Sequence, residues 1–272
     1  MMTSITYEID PGGDVELVLE SPNKQQIVPI IKYKEDENYR VSMFDGDSDH
    51  FFENSFLVGR YAVFNIEEED HAMEEDGQET NTANSRSDEL IEVRMRVSSR
   101  HLILASRTFR TMLEGPWSEN LSRASQSQSG PVQVVTSDWD AAALAIVLDA
   151  IHGRYQEIPK NVSIGLMTRI ATIVDYYECH ECLQLISDIW ISDVYEVHGV
   201  ADTFCKSSLL WLYISWVFSK RNIMDPTSRM LLQETLDLSQ IDLKDLPLGQ
   251  ILGLISQYRL IMNIALTQDR KN

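Results

Sequence analysis

The feature of this sequence that most constrains its fold is a change of hydrophobic period within residues 91–119. From Ile91 to Val97, apolar residues alternate with polar ones, which predicts a half-buried strand. After Ser98 the apolar residues recur at steps of three and four, which predicts a helix with one buried face. Its apolar positions are Leu102, Ala105, Phe109, Met112 and Leu113. The sequence therefore predicts a strand that runs directly into a buried helix, which the Gly115-Pro116 pair ends.

Residues 91–119 resemble the opening strand and helix of a BTB/POZ domain, in the form common among fungal proteins. The residues that carry this resemblance are Val97, Ser98, Leu102, Ala105, Ser106, Phe109 and Met112. Two more blocks follow in the family's order: residues 139–153 are similar to its next helix, and residues 170–182 to the helix with its Ala-Asp-x-Tyr-type signature. Many animal members carry a histidine at the position of Ser98, so no role of that histidine transfers to this chain.

The resemblance implies an α+β fold, in which a cluster of α-helices flanks a small sheet and a helical extension follows. The first segment, residues 1–20, contains the expected first strand at residues 15–19, where GDVELVL places an acidic residue before a short apolar run. Residues 21–90 are then an insertion between the first and second strands. The BTB core covers residues 91–195, and residues 196–272 form the helical C-terminal extension.

The insertion divides into two halves by composition. Strand-like runs of β-branched and aromatic residues occupy residues 27–31, 39–44 and 56–65. The second half, about residues 66–90, is acidic and has almost no large apolar residue. Such a segment cannot bury enough surface to offset the entropy lost on ordering, so we expect a disordered linker. Binding to a basic partner, or phosphorylation near Ser85 and Ser87, is the alternative interpretation.

The remaining sequence is mainly helical in pattern. Residues 159–190 predict two helices that break near residues 178–180, and their expected apolar positions include Leu185 and Ile189. Residues 209–218 are apolar nearly all round, which predicts a buried helix. Further helices are predicted to start at Asp225-Pro226 and to cover residues 247–266.

Composition and charge exclude several classes of function. The net charge of −19 argues against nucleic-acid binding, which requires clustered lysine and arginine. No apolar run approaches the roughly 20 residues that cross a bilayer, so we expect no membrane partner. Three cysteines do not suggest a disulfide framework. We expect an intracellular protein, cytoplasmic or nuclear or both.

The sequence gives little indication of an enzyme, because it contains no phosphate-binding or nucleophile motif. The strongest candidate site is Cys179-His180-Glu181-Cys182, with His198 and Cys205 downstream. These residues have the ligand types of a zinc site, or of a redox pair, but an apolar helical run favours cysteines that pack in the core. His101 has no catalytic partner in the pattern. We therefore predict no catalytic residue, cofactor or metal.

The resemblance implies a protein-interaction module instead. BTB domains typically dimerise, and many recruit a cullin-type scaffold and act as substrate adaptors for ubiquitin ligation. In those adaptors a hydrophobic-x-Glu tripeptide past the first helix contacts the cullin, and this chain has Trp117-Ser118-Glu119 at that place. The other interpretation of Trp117 is that it closes the core. The competing function is a transcription- or chromatin-associated scaffold that uses the fold without a cullin.

Overall fold

The structure is a computed structural model of the 272-residue chain. It describes residues 3–31, 57–65, 91–115, 130–199, 204–234 and 241–257.

A four-stranded mixed sheet forms one side of the fold. Its strands are β1 (Thr3–Glu8), β2 (Val15–Glu20), β4 (Ile91–Val97) and β5 (Val132–Ser137), in the order β1-β4-β2-β5. The two central strands, β2 and β4, are antiparallel, while β1 runs parallel to β4 and β5 runs parallel to β2. A separate two-stranded sheet pairs β3 (Ile30–Ile31) with β6 (Ile241–Asp242).

The period-2 pattern of the strands gives the sheet one apolar face and one polar face. On the inner face, Leu17 and Met95 lie opposite each other and are fully buried. On the outer face, Arg94 pairs with Glu92 and with Glu16. The inner face therefore carries the core, and the helices cover it.

Seven helices lie in the part of the chain that the structure describes up to residue 234. They are α1 (Ser99–Ala105), α2 (Arg107–Glu114), α3 (Ala141–Ile151), α4 (Ile164–Tyr177), α5 (His180–His198), α6 (Lys206–Val217) and α7 (Arg221–Glu234). A further helical segment begins at residue 249. None of the helices described is both long enough and apolar enough to cross a membrane.

Polar side chains set the helix boundaries. Ser106 is the N-cap of α2: its hydroxyl accepts from the Phe109 backbone N–H at 2.9 Å and donates to the carbonyl of Tyr177. This cap divides the helix predicted after Ser98 into two short helices. Asp140 caps α3 in the same way, accepting from the Ala143 N–H at 2.8 Å.

The core is one continuous cluster that runs from the sheet into the C-terminal helices. All eleven residues of α3 are buried, and α4 packs on α3 and on α6. In α6, Trp211 and Leu212 are fully buried, and further along the chain Leu248 is buried against the same cluster. Residues of the predicted C-terminal extension are therefore part of the same core as the sheet.

Several predictions from the sequence are confirmed. The chain is a mixed α+β protein with a small sheet. The break near residues 178–180 lies between α4 and α5, where Glu178 adopts a left-handed conformation at φ +52° and ends α4. The buried helix predicted at residues 209–218 is α6.

Other predictions differ from the structure. Strand β1 was not predicted, and it precedes the expected first strand. Residues 59–64 form a 3-10 helix, Gly59–Phe64, instead of a strand, and its Tyr61 and Phe64 side chains pack into the core. Pro226 lies inside α7, because that helix begins five residues before it, at Arg221. The strand predicted at residues 39–44 and the acidic residues 66–90 lie outside the described residues.

Candidate interaction surface

The predicted partner contact, Trp117, Ser118 and Glu119, lies outside the described residues. The structure describes the chain up to Gly115, which ends α2 and donates its N–H to the Thr111 carbonyl at 3.0 Å. A Cβ atom at Gly115 would lie 2.1 Å from that same oxygen. A glycine is therefore required at the position where α2 ends.

Four aromatic rings form a cluster beside α2. Phe109 of α2 stacks on Tyr177 of α4, with ring centroids 4.2 Å apart and an interplanar angle of 7°. Tyr176 meets Tyr177 edge to face at 4.9 Å, and Trp139 meets Tyr176 at 5.2 Å. The Trp139 indole N–H donates to Thr136 Oγ1 at 2.9 Å, which fixes that ring against β5. Tyr176 is 58% exposed, so the cluster presents one aromatic side chain to solvent.

A second exposed apolar surface lies on α5 and is made of Leu185, Ile189 and the nearby Tyr155; we call it the α5 face. Leu185 is 81% exposed and Ile189 is 56% exposed, one helical turn apart. Tyr155 donates its hydroxyl to the Cys182 carbonyl at 2.5 Å, which holds its half-exposed ring beside α5.

The α5 face was not recognised from the sequence, which placed Leu185 and Ile189 among the apolar core positions. The buried positions of α5 are instead Leu183, Ser187, Trp190, Ile191 and Val194. These residues form a stripe of their own, centred about 180° around the helix from Leu185. The signal was therefore present, because α5 carries more apolar residues than one buried stripe accommodates.

Charged residues accompany the exposed apolar pair on α5. Glu181 and Glu196 are exposed and lie on the same side of α5 as this pair, about one turn before Leu185 and about two turns after Ile189. Asp188 forms an ion pair with Lys220, which lies in the turn between α6 and α7. The α5 face is therefore apolar with acidic surroundings.

The cysteines lie in environments that favour packing. Cys179 is fully buried, and burial raises the pKa of its thiol to about 12. Burial also raises the pKa of the half-buried Cys182. At neutral pH both are therefore protonated thiols, while zinc binding and disulfide exchange require thiolates. Within the described ranges, no three His, Cys, Asp or Glu residues are grouped so as to hold a metal ion.

His101 is exposed on α1, and its ring lies 4.8 Å from that of His152, a residue that the sequence did not single out. The Nε2 atom of His152 accepts from the Ser98 N–H at 3.0 Å, and its Nδ1 lies 2.7 Å from the Leu148 carbonyl. This geometry requires a neutral ring with its proton on Nδ1. The pair is therefore part of the packing between α1 and α3.

Comparison of the chain with known proteins finds no family model and no curated protein that matches it.

Proposed function

We propose that this chain is a non-enzymatic protein-interaction module of the BTB type, which acts as a substrate adaptor for a cullin-type ubiquitin ligase. The observation that carries the interaction role is the α5 face, with Leu185 at 81% and Ile189 at 56% exposure. Large aliphatic side chains held on a rigid helix and open to water are typical of a surface that a partner covers.

The order of elements supports the choice of fold family. From β2 onward, two strands (β2 and β4) are followed by two helices (α1 and α2), one strand (β5) and three helices (α3, α4 and α5), if the short elements inside the insertion are left out. The three sequence blocks that resemble BTB domains lie on this series in the same order. The connection between β2 and β4 is longer than in the family, because it contains the insertion.

The charge of the α5 face indicates the chemistry of its partner. Exposed Glu181 and Glu196 accompany the apolar pair, and the whole chain carries a net charge of −19. A partner helix with an apolar stripe and flanking lysine or arginine would be attracted by this surface and would match it.

The test is affinity purification of the tagged full-length chain, followed by mass spectrometry. We expect the wild-type chain to recover a cullin. Leu185→Glu should lower the amount of cullin recovered at least tenfold, because the introduced charge would be buried at the interface. Trp117→Ala is expected to reduce recovery as well, if the tripeptide 117–119 contacts the same scaffold.

Leu254→Glu is the matched control, because Leu254 is 52% exposed but lies on the helical segment that begins at residue 249. It should leave cullin recovery unchanged. The absence of a cullin from the wild-type purification would contradict the adaptor role. Recovery of transcription or chromatin proteins, lost with Leu185→Glu, would instead favour the regulatory scaffold.

We also propose a homodimer, in which α1 of each copy contributes Leu104 to the interface. The resemblance to BTB domains supports the dimer, and Leu104, which is 81% exposed on α1, is the residue that we choose to test it. Sedimentation at micromolar concentration should show a dimer for the wild-type chain and a monomer for Leu104→Glu. A wild-type species of 31.1 kDa would contradict the dimer.

A further inference from the structure

Asp149 of α3 is a fully buried carboxylate with four polar partners. Its Oδ2 accepts hydrogen bonds from the hydroxyls of Tyr7, at 2.7 Å, and Tyr61, at 2.8 Å. Its Oδ1 lies 3.5 Å from Arg60 Nη1 and 3.8 Å from Arg154 Nε. We call these five residues the Asp149 cluster. A carboxylate removed from water depends on such partners, because neither its charge nor its lone pairs are otherwise compensated.

The Asp149 cluster joins segments that lie far apart in the chain. Tyr7 belongs to β1, and Tyr61 belongs to the 3-10 helix inside the insertion. The two arginines also bind the end of β1: Arg60 Nη2 donates to the Glu8 carbonyl and Arg154 Nη1 donates to the Ile9 carbonyl, each at 2.6 Å. Both cations that face Asp149 therefore hold the backbone of the N-terminal strand.

Direct contacts between β1 and the 3-10 helix reinforce this connection. The ring of Tyr7 lies 6.0 Å from that of Tyr61 and 5.1 Å from that of Phe64. The Arg60 guanidinium lies over the Tyr7 ring, 4.4 Å from its centroid. Tyr7 is thus enclosed by side chains from the insertion and by Asp149.

β1 lies at the edge of the sheet, where it pairs with β4 alone over residues 3–8. An edge strand has one ladder of hydrogen bonds, so its attachment depends strongly on side-chain contacts. Here those contacts are supplied by the 3-10 helix and by Asp149. Burial raises the pKa values of Tyr7 and Tyr61, and so does Asp149, so both hydroxyls remain donors at neutral pH.

We propose that β1 and the 3-10 helix form one cooperative strap, fastened to the core by Asp149, which opens and closes over the edge of β4 as a unit. The Asp149 cluster makes the opening cooperative. If either β1 or the 3-10 helix detaches, the buried carboxylate loses part of its donors, and the remaining segment is then held too weakly to stay bound. Opening the strap exposes unpaired N–H and C=O groups along β4. The described part of the insertion therefore has a conformational role.

The test is hydrogen exchange with mass spectrometry on the full-length chain, comparing the wild type with Tyr61→Phe. This substitution removes one hydroxyl from the 3-10 helix and nothing from β1. We expect exchange to become roughly tenfold faster, or more, both in residues 57–65 and in residues 3–8, because a hydrogen bond to a charged group is lost. Residues of α4 and α6 should keep their wild-type rates.

Tyr177→Phe is the matched control, because it removes the hydroxyl of another buried tyrosine, which bonds to Thr136 at 3.2 Å. It should leave residues 3–8 and 57–65 unchanged. Asp149→Asn should open the same two segments further than Tyr61→Phe does. If Tyr61→Phe speeds exchange in residues 57–65 alone, in neither segment, or throughout α4 and α6, the strap is not a separate cooperative unit and the proposal is wrong.

Discussion

His152 joins the end of α3 to the start of α1 through both of its ring nitrogens. Nε2 accepts from the backbone of Ser98, and Nδ1 donates to Leu148. The pKa of this ring is lowered mainly by burial and further by the neighbouring His101. Three groups act in the opposite direction and raise it: the Leu148 carbonyl, Asp10 and Asp149. The neutral ring is therefore the form that the fold requires.

This requirement predicts a pH dependence of stability. In the unfolded chain His152 binds a proton near the ordinary pKa of about 6.5, while in the folded chain it stays neutral to lower pH. The unfolded state thus binds more protons in that window, and stability should fall as the pH drops below about 6.5. Urea unfolding at pH 7.5 and 5.5 should show a smaller loss in His152→Gln than in the wild type.

His101→Gln provides the control for this experiment. Because burial, and not His101, is the largest cause of the lowered pKa, this variant should retain most of the wild-type pH dependence. An identical loss of stability in the wild type and in His152→Gln would show that other groups are responsible.

At the scale of elements, Ser106 connects three of them: its hydroxyl bonds to α2 and α4, and its backbone N–H donates to the Leu102 carbonyl of α1. It caps α2, it stands at the end of α1, and it donates to the last residue of α4, Tyr177. The cap places Phe109 against Tyr177, and these two rings belong to the aromatic cluster beside α2. The local sequence at Ser106 thus sets how α2 packs on α4.

We expect Ser106→Ala to lower the free energy of unfolding by about 2–3 kcal/mol, of which about 1 kcal/mol is the lost cap and the rest the unpaired Tyr177 carbonyl. Ser163→Ala is the control, because the Ser163 hydroxyl caps α4 by accepting from the Leu166 N–H at 3.1 Å and makes no second bond of this kind to any residue that the structure describes. It should cost about 1 kcal/mol. Equal losses in the two variants, measured by urea unfolding, would contradict the connecting role of Ser106.

The elements that sequence reasoning found are those whose pattern is local. Alternation in residues 91–97 and the continuous apolar run of α6 depend only on neighbouring residues. Strand β1 was missed because TSITYE is short and mainly polar, so its position depends on pairing with β4. The 3-10 helix was read as a strand because its aromatic residues signal burial without indicating backbone shape. The α5 face was missed because periodicity shows which residues are apolar and not which stripe is covered.

At the scale of the whole molecule, the C-terminal helices complete the core of the sheet and of α3–α5. Removing them would uncover the side of α4 that packs on α6, and Ile170 and Val174 of α4 are fully buried in the complete fold. We expect a chain that ends at residue 199 to lose cooperative thermal unfolding and to expose apolar surface, because it cannot bury these side chains. A single sharp transition by circular dichroism in this shortened chain would show that the helices are a separate unit.

The central pair of the sheet has a consequence for how the chain folds. Strands β2 and β4 are antiparallel neighbours, yet about seventy residues separate them. Compared with a two-residue hairpin, closing such a loop adds about 3 kcal/mol of entropy cost, since each doubling of length adds about 0.6 kcal/mol. Contacts among α3, α4 and α5 close much shorter loops, so the helices should assemble before the sheet. During synthesis and refolding, β2 therefore stays an unpaired apolar strand until it pairs with β4. This interval is when the protein is most prone to aggregate.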